Sequence, residues 1–162
     1  MKKIVLIFLA ALAFGFAVFL YVRYDSRLEV AESTVVEPEI NISIKRAPFK
    51  AVVRDDPATR ARGLSGRESL ENSEAMLFVF PNPGMWGIWM KGMKFSIDIL
   101  WLDVDRKVVH IEKNISPDTY PNIFFPKSES LYVIELGSGV ANKVGVFVGD
   151  EIMFAQPVPV GK

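Results

Sequence analysis

The chain has 162 residues, with 19 basic and 19 acidic side chains, one histidine and no cysteine, which removes disulfides, thiolate nucleophiles and thiolate metal sites together. Setting aside Lys2, Lys3 and Arg23 around the first apolar segment leaves 16 basic residues against 19 acidic ones, without the positive excess that draws a protein to phosphate backbones. Nucleic acid is therefore not an expected partner, and one histidine without cysteine does not supply a zinc site.

Lys2-Lys3 precedes an uncharged run from Ile4 to Val22, closed by Arg23. Roughly 19 residues at ~1.5 Å rise cross a hydrocarbon layer of ~30 Å. Residues 1–23 are thus expected to form a single transmembrane helix, touching the membrane through residues 4–22. A cleaved signal peptide is the rival reading, because Ala11-Leu12-Ala13 resembles a small-residue cleavage site. Cutting there would leave a terminus beginning Phe14-Gly15-Phe16, which is apolar for a soluble product. Lys2 and Lys3 compete with Arg23 and Arg27, and the balance places the amino terminus inside and the body outside the cytoplasm.

Residues 24–39 are charged and weakly patterned, as a tether would be. A β domain is expected over 40–156, followed by a loose tail over 157–162. Ile40, Ile42 and Ile44 alternate with polar residues, the signature of a strand covered on one face. A second strand spans Phe49 to Val53. Asp55 to Gly63 reads as a short helix with an aspartate cap, a first-turn proline, cations in the last turn and glycine beyond.

Met76–Phe80 is an apolar strand stopped by Pro81-Asn82-Pro83-Gly84, and Met85 to Met93 is the densest aromatic and thioether patch. Ile97–Leu102 and Lys107–Ile111 flank a turn at Asp103-Val104-Asp105-Arg106. Residues 113–130 read as a loop, Leu131–Leu136 as a strand, Gly139 onward as a brief helix, and Glu151–Ala155 as the last strand. Short strands, proline- and glycine-rich turns and two small helices predict a mainly β fold, a single β-sandwich or barrel.

The segments Arg62 to Leu70, Met76 to Phe80, Trp89-Met90-Lys91, Asp98-Ile99-Leu100 and Glu135-Leu136 through Gly149-Asp150 resemble, in order and spacing, the domain of unknown function 192 family over residues 45–155. The resemblance implies a small β-rich domain, often behind a signal peptide or anchor, with no established activity to carry over. Two departures stand out. Gly92-Met93 replaces an Asn-Thr pair beside Lys91, and Arg106 stands where an aspartate-glycine turn would be usual.

Two apolar strands each hold one carboxylate, Asp98 and Glu135. An ionised side chain is costly to bury alone, so both are expected at strand ends, at a rim or opposite a cation, with Lys91, Arg62 and Arg67 as the cations. These five and Trp89 form the candidate ligand site. Asp98 and Glu135 as acid and base would suit hydrolysis of envelope carbohydrate. Ion pairs that merely brace loops are the structural alternative.

Met85, Trp86, Trp89, Met90 and Met93 fit a core or a partner-facing patch better than a copper site. His110, between Val109 and Ile111, is expected on the less buried face. No Gly-x-Ser-x-Gly elbow supports a serine nucleophile, and Gly137-Ser138-Gly139 lacks the βαβ context of a dinucleotide site. No cofactor or metal is expected. The leading expectation is a membrane-tethered extracytoplasmic binding module for a small molecule, glycan or envelope protein. The carbohydrate hydrolase and a purely structural interaction module, which would have no pocket, are its competitors.

Overall fold

The computed structural model describes Phe16, Phe19 and residues 37–158. The anchor expected over residues 1–23 lies outside the described residues apart from those two phenylalanines, and no helix among the described residues is long and apolar enough to cross a membrane. The compact unit that contains the β domain begins at Glu37.

The apolar segments become β1 (Glu39–Ile44), β2 (Ala47–Arg54), β3 (Glu74–Gly84), β4 (Ile88–Trp89), β5 (Ile97–Leu102), β6 (Val108–Ile115), β7 (Ile123–Phe124), β8 (Ser130–Gly137) and β9 (Met153–Phe154). The two helices are α1 (Pro57–Arg62) and α2 (Val140–Val144). One sheet runs in the order β6-β5-β8-β3-β2-β1-β9, while β4 and β7 pair separately. All pairings are antiparallel except β2 with β3, which α1 connects as a crossover.

The expected sandwich or barrel takes a narrower form: the large sheet curls into a half-barrel, and the second sheet is only two residues long in each strand. Its two edges are tied by the segment that leads into β9. Gly149 N donates to Val108 O and Ile152 N to Arg106 O, after which β9 pairs with β1.

Side chains alternate across a strand, so the sheet carries a core on each side. Val53, Leu77, Val79, Leu100, Ile134 and Leu136 occupy one face, covered partly by Val140, Ala141 and Ile152. Val52, Met76, Phe78, Ile99, Trp101 and Val133 occupy the other, beneath Leu64, Leu70, Ile88 and Met90.

α1 forms where its local signals place it. Asp56 Oδ1 accepts from the amides of Ala58 (2.9 Å) and Thr59 (3.0 Å), Pro57 opens the first turn, and Gly63 ends the helix. The β5–β6 hairpin manages without glycine: Asp103 Oδ1 accepts from the amides of Asp105 and Lys107, and Arg106 takes the left-handed position at φ 63°.

Three expectations are corrected. The loop expected over 113–130 contains the end of β6, a 3-10 turn at Pro117–Thr119 and β7. Val158, in the tail expected to be loose, is half-buried against the core. His110 is buried, bonded to Glu112 at 3.0 Å and tilted against Trp101, whereas Val109 and Ile111 are half-exposed.

Candidate functional site

At the end of α1 the chain turns sharply over the sheet. Gly63 adopts φ 51° and ψ −130°, and a Cβ there would stand 3.4 Å from Phe78 Cζ. Leu64 then enters the core, Ser65 Oγ donates to Lys91 O at 2.7 Å, and Gly66 N donates to Gly92 O at 3.0 Å. The loop after α1 is thereby stapled to the loop after β4. Gly92 sits at φ 68°, and a Cβ on it would reach within 3.3 Å of Ser65 Cβ, so a glycine at this position is matched to the close approach of the two loops.

Between these loops and the sheet lies a cavity of about 250 Å³. Arg60, Arg62 and Ser65 contribute its polar lining from α1 and the following loop, while Leu64, Phe78, Phe80, Ile88, Trp89 and Met93 make it apolar. Phe80 stacks on Trp86 with centroids 4.2 Å apart, and the Arg60 guanidinium lies 5.3 Å from the Phe80 centroid. Arg60 is fixed further by Nη1 donating to Val79 O at 2.9 Å. Arg62 is exposed and makes no ion pair among the described residues. Trp89 is 44% exposed, with Lys91 Nζ 5.3 Å from its ring centroid.

Glu135 lines the cavity from β8 although it is only 4% exposed, and its Oε2 has no hydrogen-bond partner among the described residues. Burial pushes its pKa up to about 8 against the opposing positive charge of Arg54. At neutral pH the group is therefore a protonated carboxyl, able both to donate and to accept a hydrogen bond.

Arg54 is itself buried on the same face of the sheet, on β2. Its Nη2 meets Glu37 Oε1 at 2.5 Å, and Arg67 Nη2 meets Glu37 Oε2 at 2.7 Å. Partial burial raises the Glu37 pKa, but the hydrogen bond and charge of Arg54, with Arg67 and Arg62, outweigh it and hold the carboxyl below its ordinary value. Arg54 Nε, like Glu135 Oε2, is buried without a partner among the described residues.

Of the six residues singled out in the sequence, Arg62, Trp89 and Glu135 line the cavity, and Lys91 flanks it against Trp89. Arg67 braces Glu37 instead. Asp98 is not at the site. It pairs in register with Leu136 while Glu135 pairs with Ile99, so the two carboxylates project from opposite faces. Of the places expected for Asp98, a strand end, a rim or a position opposite a cation, it takes the first, second in β5, but fully buried and satisfied by amides instead of a cation, with Oδ1 accepting from Asn114 N and Oδ2 from Ala141 N, both at 2.8 Å. Two carboxylates facing each other across one cleft, as glycoside hydrolysis requires, are not formed by Asp98 and Glu135.

Sequence reasoning passed over Arg54, Arg60, Glu37 and Phe80. A signal existed for Arg54, a lone charge closing an apolar strand. The pairing of Glu37 with Arg54 spans a gap in sequence that no local pattern bridges.

Residues 39–154 match the model of the domain of unknown function 192 family, described as "Uncharacterized ACR". Two solved structures are similar. A protein of Sinorhizobium meliloti, provisionally described as a transcription regulator, shares 24% identity and a TM-score of 0.71 over 76% of this chain and 98% of its own. At that identity the likeness concerns the fold alone. A protein of unknown function from Novosphingobium aromaticivorans shares 26% identity and a TM-score of 0.67 over 74% of this chain and 89% of its own. No curated protein matches the chain.

Proposed function

The chain belongs to the domain of unknown function 192 family, and from that premise we propose that it is a binding module that takes a small molecule into the cavity between α1, β3 and β4. In this reading the amino-terminal apolar segment tethers the module to a membrane, with the β domain on the extracytoplasmic side. The observation that carries the proposal is the unpaired, buried carboxyl of Glu135 at the cavity wall. Leaving a buried polar group without a partner costs roughly 1–3 kcal/mol, and a purely structural module gains nothing in return. A ligand supplies the missing partner.

Size argues for a small molecule over a glycan chain. The cavity volume of about 250 Å³ is below the ~300–1,000 Å³ of pockets that enclose drug-sized ligands. The mixed lining of aromatic rings, two guanidinium groups and one carboxyl matches the usual make-up of such a site, an apolar body with a few convergent polar groups.

Ligand-observed NMR with a fragment collection, run on the full chain in detergent micelles, tests this. Ala61→Trp places a bulky ring at the mouth from an exposed helix position. Fragments that bind the wild type and are lost in A61W, with the fold unchanged, are the expected result. Fragments that bind both proteins equally, or an absence of hits, would end the small-molecule reading of this cavity.

A further inference from the structure

We propose that the molecule this cavity accepts is a small organic acid bound as its monoanion, its carboxylate held by Arg62 and Arg60 and hydrogen-bonded by the Glu135 carboxyl, its apolar body against Phe78, Ile88 and Met93. The inference rests on the small-molecule reading above and names the ligand class.

Charge decides the sign of the ligand. Arg54 from β2 acts directly on Glu135, and the other charged groups lining the cavity, Arg60 and Arg62 from α1, are cationic as well. From the strands beside β8 its register neighbours are Met76 on β3 and Ile99 on β5, neither of which titrates. Two acids act on these cations: Glu37, already shared by Arg54 and Arg67, and Asp56, which interacts with Arg60 while its carboxylate caps α1. A cationic ligand would meet two guanidinium groups and no available carboxylate. An anion meets Arg62, which has no ion-pair partner among the described residues, and guanidinium is the side chain best shaped for a carboxylate.

The acid at the wall favours the same conclusion. A protonated carboxyl donates one short hydrogen bond to a carboxylate, and the oxygen it would use is the one left unpaired. Size and polarity set the rest. At ~30 Å³ per water of liquid volume, about 250 Å³ holds a body of roughly eight to ten non-hydrogen atoms. Most of the remaining lining is hydrocarbon, so that body is a ring or a short branched chain and not a sugar.

Proton linkage follows. Binding an anion beside Glu135 requires its proton, so affinity is constant at neutral pH and falls once the free carboxyl ionises. An amide of the same shape has no such dependence.

The test titrates the full chain in micelles with benzoate, benzamide and benzylamine at pH 7 and pH 9.5. The expected result is benzoate bound at least tenfold more tightly than the other two at pH 7, with that affinity at least tenfold weaker at pH 9.5. Glu135→Gln should remove the pH dependence, and Arg62→Gln, at an exposed position, should weaken benzoate about tenfold without altering benzamide. Benzamide or benzylamine binding as well as benzoate, and losing its binding in A61W, would overturn the acid assignment and leave the cavity as a ligand site. Benzoate affinity that is independent of pH and of Arg62 would overturn it too. If none of the three probes binds, the acid assignment fails, and the fragment screen then decides the broader reading on its own.

Discussion

Asp98 and Glu135 stand one register step apart on neighbouring strands, and that step separates a group used up by the scaffold from one left unpaired at the cavity wall among the described residues. Each Asp98 oxygen is used by a backbone amide, one in β6 and one in α2. Hydrogen bonds to a charged group are worth ~1.5–3 kcal/mol each. Asp98→Ala is therefore expected to lower unfolding free energy by at least about 3 kcal/mol in guanidinium titrations, while leaving cavity binding unchanged in whatever fraction stays folded. A variant as stable as wild type would remove the scaffolding role. Glu135 behaves oppositely. Its folded pKa of about 8 lies above the ordinary 4.5, so between those values the folded chain keeps a proton that the unfolded chain has released. Stability is full below pH 4.5, declines as pH rises through the window and levels off above it. The decline is on the order of 5 kcal/mol at ~1.4 kcal/mol per pKa unit, as an upper bound. Glu135→Gln should flatten it, which unfolding curves at pH 5 and pH 9 will reveal; equal slopes in both proteins would mean Glu135 is not held protonated.

Elements governed by local rules were legible in advance, and those governed by register were not. α1 was readable because aspartate cap, proline, arginines and glycine all lie within one short stretch. Its terminating glycine also forms the cavity wall. At φ 51° and ψ −130°, with Phe78 in contact distance of any added Cβ, alanine is strained, and Gly63→Ala is expected to cost ~1–3 kcal/mol and to shift fragment affinities, both measurable on one sample. A fully stable variant with unaltered binding would show that the turn relaxes freely. His110 marks where local reading failed. Trp101 pairs with His110 but Leu102 pairs with Val108, so a bulge at Val109 adds a residue and reverses the alternation. Val108 and His110 then face opposite sides despite their spacing. A second register shift separates Ile97↔Ile115 from Ile99↔Glu112, with Asn114 at φ 55°, and the Asn114 amide goes to Asp98. Period-two reasoning carries no information about either bulge, nor about two-residue strands such as β4 and β7, which exist only because they pair with each other.

Across the whole domain, the class of fold was legible because alternating and fully apolar runs impose strands whatever their order. Curvature and strand order were not, since the parallel β2–β3 pair and the junction of the sheet edges near Gly149 depend on contacts far apart in sequence. The candidate site was half legible for the same reason: Arg62, Trp89 and Glu135 belong to distinct motifs that the curled sheet brings to one cavity, whereas Glu37 looked like part of a tether. Glu37 is instead the residue that makes Arg54 tolerable inside the domain, because a guanidinium only 3% exposed has no other carboxylate bonded to it among the described residues. Removing one partner of a buried ion pair typically costs ~3–5 kcal/mol. Since Glu37 is partly exposed, Glu37→Ala is expected near the lower end, about 3 kcal/mol, with a smaller loss in Glu37→Gln. The pH dependence has a definite sign. Glu37 titrates below its ordinary value in the folded chain, so its contribution is present above pH 4.5 and disappears as pH falls through the folded pKa. Guanidinium unfolding of wild type and E37A should therefore differ most at pH 7 and converge toward pH 3. Curves that coincide at pH 7 would place the true start of the folded domain after Glu37 and leave Arg54 stabilised by something other than this carboxylate.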